Sequence, residues 1–196
     1  AATLALAVVA ALTGATRARN EVWGDNVRLW SDAVAKAPGR AVAHANLGVA
    51  WMQAGRLDEA RRALERAVAL EPDQSFAQQN LGAIAVAERR FDDAERHFRA
   101  ALALEPADAL SVAGLGAVAM ECGRPDEAIA LHLRSLAMRS DPRVHRNLGQ
   151  IYLVQGRLDE ALAQLRTAVA IDPMQPIAWQ RLADAELARE APEAVV

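Results

Sequence analysis

The chain has few aromatic residues, one cysteine and one lysine, and each scarcity excludes a class of protein. Aromatic residues make up 4% of the 196 residues, whereas 53% are apolar, with alanine the most frequent. A single cysteine, Cys122, excludes an internal disulfide framework and a cysteine-based zinc site. Lys36 is the only lysine, and the net charge of −3 argues against a general nucleic-acid-binding protein. No segment alternates β-branched with polar residues, so the alanine-, leucine-, glutamate- and arginine-rich chain is expected to be helical without a sheet.

The sequence also lacks the groupings that carry out chemistry. Its glycines are single and periodic, so there is no glycine-rich phosphate loop. The histidines, which could form a metal or general-base site, do not have ligand spacing, and we interpret them as partly buried helical residues. They are His44, His97, His132 and His145. We therefore expect no catalytic residue, no metal site and no cofactor in this chain.

A short phrase recurs along the chain at nearly even spacing. GRLDEA begins at residue 55 and again at 156, RRFDDA begins at 89 and GRPDEA at 123, so the steps are 34, 34 and 33 residues. A period near 34 residues predicts stacked helical repeats. In residues 41–72, apolar residues recur at helical spacing on both sides of Gly55, which predicts two helices joined by a short turn. Asp58 is expected to cap the second helix, and Pro72 to end the unit.

Equivalent positions in the units hold residues of similar size. One position is always glycine and another is always alanine, which predicts close approach of the two helices at Gly48, Gly82, Gly116 and Gly149 and at Ala60, Ala94, Ala128 and Ala161. A larger second-helix residue fills the next layer, at Leu64, Phe98, His132 and Leu165. In the third unit Ser135 replaces a small apolar residue and one residue is missing before Pro142, which predicts a tighter turn. Arg89 stands where the other units have a turn glycine, which predicts mild strain if that residue needs a positive φ.

These offsets resemble those of the tetratricopeptide repeat. The residues that carry the resemblance in the first unit are Leu47, Gly48, Trp51, Gly55, Ala60, Leu64, Ala67 and Pro72. The resemblance implies an all-α fold, an α-solenoid in which helix-turn-helix hairpins stack into a right-handed superhelix. The units would be residues 41–74, 75–108, 109–141 and 142–175, followed by a capping helix at 176–190 and a tail at 191–196.

The first forty residues have a different character. Residues 1–15 form an apolar run that could be the cut end of a transmembrane helix, the first helix of a degenerate repeat, or part of a cleaved signal sequence. Residues 16–40 form a connector with one packing helix, in which Trp30 covers the apolar face. The residues of this junction resemble the C-terminal repeat region of mannosyltransferase-like (GT-C type) multipass membrane proteins, a resemblance carried by Arg19, Asn20, Trp23, Leu29, Trp30, Asp32 and Pro38.

That second resemblance implies an enzyme body upstream and repeats on the exoplasmic or periplasmic side of a membrane. Arg17 and Arg19, next to the apolar run, would instead favour the cytoplasm. We therefore predict a chain tethered to a membrane through sequence at or before residue 1, with the side of the membrane open and a cytoplasmic location as the alternative.

The first helix of each repeat is expected to line a concave surface that binds a partner. The predicted peptide-binding residues lie on these helices: Asn46, Asn80, Asn147, Val49, Met52, Phe76, Gln79, Arg143, Arg146, Gln150 and Arg181. The three asparagines, Asn46, Asn80 and Asn147, share one equivalent position. They resemble the asparagine ladder in the repeat domain of O-linked N-acetylglucosamine transferase, and Gly114 interrupts this ladder. An amide can pair with both groups of a peptide bond. The arginines could bind a carboxylate, or could be ordinary solvated side chains.

The resulting functional prediction is a non-enzymatic scaffold that binds an extended peptide or partner protein. The alternative is an accessory domain of a membrane-bound, O-mannosyltransferase-like glycosyltransferase, which would present acceptor polypeptide to an upstream catalytic body. A third possibility is self-association through the end helices. The expected partners are therefore proteins or peptides and not nucleic acid, with a membrane anchor at the N-terminus as a further possibility.

Overall fold

The computed structural model describes residues 26–190, which form ten helices and no strand. The described part of helix α1 covers residues 26–36. The following helices, α2 to α10, are Ala41–Gln53, Leu57–Leu70, Ser75–Ala87, Phe91–Leu104, Ala109–Glu121, Pro125–Met138, Pro142–Val154, Leu158–Ile171 and Pro176–Glu190. The predicted apolar run at 1–15 and the predicted tail lie outside the described residues. Within residues 26–190, no helix combines the length and the apolar character that a membrane crossing requires.

The chain divides into two compact units, Ala1–Ile84 and Ala85–Val196, with the boundary inside α4. In the first unit α2 packs against α3, and the start of α4 contributes to the same apolar cluster. In the second unit each helix from α5 to α10 packs against its neighbour in sequence, and α8 also contacts α6 and α10. Within residues 26–190, the pairing of consecutive helices and the absence of strands confirm the prediction of an all-α solenoid of tetratricopeptide repeats.

The core of each unit is a series of small apolar clusters. Leu64, Ala60 and Ile84 belong to one cluster of the first unit. In the second unit Phe98 and Val118 form another, and separate clusters follow along α6 to α10. A cluster draws on helices that are close in sequence, which is the packing expected when each repeat contacts only its neighbours.

In three hairpins a glycine of the first helix lies directly against a side chain of the second helix. A Cβ atom on Gly48 would lie 2.5 Å from Cγ of Leu64, and one on Gly149 would lie 2.5 Å from Cγ of Leu165. A Cβ on Gly116 would lie 2.7 Å from the Nδ1 atom of His132. These distances confirm the predicted close approach in three of the hairpins, since a real Cβ could not fit.

The turns inside the hairpins need a left-handed residue. Gly55, Gly123 and Gly156 have φ angles of 74°, 71° and 73°, and Arg89 has φ 58° at the equivalent place. A residue with a Cβ is strained in this region, so the predicted strain at Arg89 is present. The Arg89 guanidinium lies 5.4 Å from the centre of the Phe91 ring, a favourable contact that offsets part of the cost.

The prediction that Asp58 caps α3 is wrong. The cap position is held by Arg56, whose side chain makes no capping hydrogen bond. Asp58 lies in the first turn, where its carboxylate accepts a hydrogen bond from Arg61 at 2.7 Å. Glu59 pairs with Arg56 across the same turn. The acidic residues of the GRLDEA phrase therefore act through ion pairs and the helix dipole and not as caps.

The connection into the fourth repeat is shorter than the others. Helix α7 ends at Met138 and α8 begins at Pro142, which leaves one residue fewer than between α5 and α6. The buried Ser135 hydroxyl donates to the carbonyl oxygen of Ala109 at 2.8 Å, so this polar substitution is satisfied. Asp141 caps α8, since its Oδ1 atom accepts from the amide of Arg143 at 2.8 Å.

Candidate protein-binding surface

The first unit carries an open pocket of about 290 Å³ between α2 and the start of α4. Its lining combines apolar and polar side chains from Val42, Ala45, Asn46, Asp73, Gln74, Ser75 and Phe76. Val42 and Phe76 occupy the same register on successive first helices, and they are 54% and 47% exposed. Burying such side chains against a partner would be favourable, because each Å² of apolar surface removed from water stabilises the bound state by about 25 cal/mol. The pocket can therefore receive an apolar side chain beside an amide group.

The three predicted ladder asparagines are half-buried but differ in their bonding. Asn46 lines the pocket of the first unit. The Asn80 amide nitrogen donates to the carbonyl oxygen of Phe76 at 2.7 Å, within its own helix. The Oδ1 atom of Asn147 accepts from Arg146 at 3.3 Å. Asn80 and Asn147 thus retain only part of their amide capacity, and the ladder stays a prediction.

The other predicted contacts of the first unit are less accessible. Val49, Met52 and Gln79 are half-buried, and Met52 packs against the apolar cluster around Leu64. Met52 therefore serves the core as well as the surface.

The interruption of the ladder at Gly114 has a packing cause. A Cβ on Gly114 would lie 2.3 Å from Cζ of Phe98 and 2.6 Å from the Cε atoms of the same ring. Phe98 stands where the first and fourth repeats have leucine, and its longer ring extends from α5 to reach α6. A side chain at residue 114 therefore requires the Phe98 ring to move. The sequence shows this contact only as two departures from the repeat pattern, which are the phenylalanine at residue 98 and the glycine at residue 114 of the next repeat.

In the second unit, the predicted basic end of the surface contains one arginine that is already paired. The Arg143 guanidinium donates to both carboxylate oxygens of Asp141, at 3.2 Å from Nε and 2.8 Å from Nη2. This pairing lowers the pKa of Asp141 below its usual value and raises the pKa of Arg143. Arg143 therefore holds the cap of α8 in place before any ligand binds.

The other two arginines of this end differ from Arg143. Arg181 lies 3.5 Å from the carboxylate of its neighbour Asp184, at an exposed site. Arg146 is half-buried, and its one hydrogen bond in the described chain goes to the neighbouring asparagine. Burial lowers the pKa of Arg146, and the positive charges of Arg143 and Arg181 lower it further. The cations of this end are therefore Arg143 and Arg146 on α8 and Arg181 on α10, and acidic residues lie beside two of them.

The histidines differ in how far they are buried. His44 makes a hydrogen bond to the carbonyl oxygen of Pro38 at 2.9 Å, and His145 makes one to Gln164 at 2.7 Å. His132 is only 1% exposed, and neither ring nitrogen has a hydrogen-bond partner among residues 26–190. Burial lowers its pKa to about 4, so the ring is neutral at physiological pH. The part of the chain that the structure describes holds no group of three side chains that could bind a metal ion.

Stacked helical hairpins with a glycine at each crossing define an α-solenoid repeat protein. Models of the tetratricopeptide repeat match residues 41–74 and 105–174. The matched residues cover just over half of the chain, and it belongs to the tetratricopeptide repeat proteins. No curated protein sequence matches this chain significantly.

Solved structures support the same family. TTC0263, a thermophilic tetratricopeptide repeat protein of Thermus thermophilus, is 25% identical over 89% of this chain and 96% of its own, with a TM-score of 0.75. The Cut9–Hcn1 heterotetramer of the APC/C contains a chain that is 24% identical over 86% of this chain and 34% of its own, with a TM-score of 0.77. YrrB, a tetratricopeptide repeat protein with an unusual peptide-binding site, is 21% identical over 84% of this chain and 85% of its own, with a TM-score of 0.61.

The resemblance of the N-terminal junction to mannosyltransferase-like membrane proteins stays a prediction. Arg19, Asn20 and Trp23 lie outside the described residues, so the structure does not test this resemblance.

Proposed function

We propose that the chain is a scaffold whose first helices bind an extended segment of a partner protein. The observation that carries this proposal is the pocket of the first unit, where exposed Val42 and Phe76 stand at the same register of successive helices. Asn46 lines the same pocket. An extended segment alternates side chains with peptide groups, so it can place a side chain in the pocket and a peptide group on the amide.

The relatives support the same class of function. Tetratricopeptide repeat proteins stack their hairpins into surfaces suited to binding proteins or peptides, and YrrB has a peptide-binding site. The proposal does not include an enzymatic role, because the groups that would recognise the partner are amides and apolar side chains.

The asparagines are expected to contribute modestly and unequally. A hydrogen bond to a peptide group contributes about 1 kcal/mol net, so three such bonds would change the dissociation constant by about two orders of magnitude. Asn80 already donates within its helix, and its share should be smaller than that of Asn46.

The test begins with peptides selected by display for binding to the full chain. Replacing Asn46, Asn80 and Asn147 together by alanine should weaken the selected peptides by one to two orders of magnitude, and the melting temperature should hardly change. Gln53→Ala is the matched control, since Gln53 is an exposed amide at another register of α2. Equal affinity of the triple variant and the wild type would refute the role of the asparagines. Failure to select any peptide would refute the proposed function itself.

The accessory-domain alternative adds an upstream catalytic body to the same binding surface. It rests on the sequence resemblance described above, and it leaves the expected effect of the asparagine substitutions unchanged.

A further inference from the structure

Helix α10 exposes an apolar face to solvent. Trp179, Ala183 and Leu187 follow one another at intervals of four residues, so they lie on one side of the helix, which we call its outer face. Trp179 is 50% exposed and Leu187 is 65% exposed. The opposite face, which carries Ala178 and Ala185, is buried against α9. The outer face is therefore the side of α10 that remains available for contact.

The equivalent register of α8 shows what such a face contacts inside the array. Helix α8 begins at Pro142 and α10 at Pro176, one repeat of 34 residues later, so the outer face corresponds to His145, Gly149 and Leu153. In α8 this register faces the second helix of its own hairpin. His145 bonds to Gln164 at 2.7 Å, and a Cβ on Gly149 would lie 2.5 Å from Cγ of Leu165. No second helix follows α10 within residues 26–190, so the outer face lacks this cover there.

The outer face is also too apolar for a helix that only shields the end of the array. End repeats of solenoid proteins normally present a polar surface to water. The Nε1 atom of Trp179 donates to the carbonyl oxygen of Pro173 at 2.9 Å, so the exposed part of this side chain is apolar ring surface. Exposed Ile177 and Met174 add apolar area at the start of the helix. Covering these side chains would be favourable.

The residues of the outer face are complementary to a second copy of themselves. Trp179 and Leu187 lie four residues before and after Ala183. In an antiparallel pair of α10 helices centred on Ala183, each tryptophan would therefore meet the leucine of the second copy. The small side chain at the centre permits close approach of the helix axes. Gln180 and Glu186 lie three residues before and after the same centre, so an amide donor would meet a carboxylate on each side.

The acidic groups near the centre are already neutralised. Glu186 lies 2.5 Å from Arg166 and 2.6 Å from Arg189, and Asp184 lies 3.5 Å from Arg181. A carboxylate has enough lone pairs to accept a further hydrogen bond. Two copies could therefore meet without like-charge repulsion at the centre of the contact.

We propose that two copies of this chain associate through the outer faces of their α10 helices, as an antiparallel pair centred on Ala183. This association does not depend on the proposed function. Helix α10 has 15 residues and is about 22 Å long. One pair of such helices buries less than the roughly 1,200 Å² of total area found in stable complexes, so the dimer is expected to dissociate in the micromolar range.

Sedimentation equilibrium of the full chain, at concentrations from about 1 μM to about 1 mM, tests the association. The average mass should rise with concentration from that of one chain towards that of two. Leu187→Glu should weaken association about ten- to a hundredfold, because it places a carboxylate against the tryptophan of the second copy. Leu133→Glu is the matched control, since Leu133 is a 47% exposed leucine of α7. Thermal melting should show that both variants are folded.

Cross-linking tests the geometry of the pair. In a Cys122→Ser background, Ala183→Cys should form a disulfide-linked dimer when oxidised glutathione accepts the electrons of the two thiols, because the two cysteines meet at the centre. Ala137→Cys, at an exposed alanine of α7, should cross-link at least ten times more slowly.

Several results would overturn the proposal. A wild type that stays monomeric throughout the concentration range refutes it and leaves the outer face to a different partner. Dimerisation that appears only after removal of residues 191–196 also refutes it, because the tail of the same chain then covers the face. The antiparallel pairing is refuted if Leu187→Glu associates as well as the wild type, or if Ala183→Cys cross-links no faster than Ala137→Cys.

Discussion

Replacing His132 by leucine should stabilise the third repeat. Leucine already occupies the equivalent position in the first and fourth repeats, where Leu64 and Leu165 pack against a glycine as His132 packs against Gly116. His132 is almost completely buried, and its ring nitrogens have no hydrogen-bond partner among the described residues. A buried unsatisfied polar group costs about 1–3 kcal/mol, so we expect a gain in unfolding free energy of that order.

The same substitution should change the response to acid. Burial holds the pKa of His132 at about 4 in the folded protein, below the ordinary value of 6.5. The unfolded chain therefore binds a proton that the folded chain does not, once the pH falls below that ordinary value. The wild type should lose stability, on the order of 3 kcal/mol in total, as the pH falls from about 6.5 to about 4. The variant should not show this loss.

Urea unfolding followed by circular dichroism, repeated across this pH range, measures both effects. The reciprocal variant Leu165→His is the control, since it places a histidine against Gly149 and should acquire the acid sensitivity that His132→Leu removes. The reasoning is refuted if His132→Leu is no more stable than the wild type at neutral pH, or if the difference between them does not grow as the pH falls.

Two further predictions concern packing. Gly48→Ala should destabilise the first unit by about 1–3 kcal/mol because its Cβ has no room, whereas Gly39→Ala, with nothing within 4 Å, should be nearly neutral; denaturant midpoints would show the difference. Gly114→Asn should be strongly destabilising alone and tolerated together with Phe98→Leu, and the double variant should bind selected peptides more tightly because it completes the row of asparagines. Additive effects on stability would contradict the direct clash, and unchanged affinity in a stable double variant would contradict a role for the amides.

The period of the sequence was sufficient to predict the fold, because each repeat packs by the same local rules. Equivalent positions predicted a close approach of the two helices at Gly48, and the structure confirms it, since a Cβ on Gly48 would lie 2.5 Å from Cγ of Leu64. Contacts between neighbouring repeats were harder to predict, since Phe98 acts on Gly114 through packing that the repeat pattern does not show.

The sequence was sufficient to predict which helix positions form the candidate site. It was not sufficient to predict which side chains there remain free to bind a partner. Residue spacing placed Arg143 and Arg146 on α8, but it could not show that Asp141 engages one and not the other. That distinction depends on the shortened turn before α8 and on side-chain conformation. The misassigned cap at Asp58 has a different origin, because α3 begins at Leu57 and Asp58 therefore lies in the first turn of the helix.

The division of the apolar core into small successive clusters determines how far the effect of a destabilising substitution spreads. Since helices close in sequence build each cluster, a destabilising substitution loosens its own hairpin and the adjoining ones before it affects distant repeats. Such a substitution would weaken ligand binding at the destabilised hairpins first, because distant repeats would keep their structure.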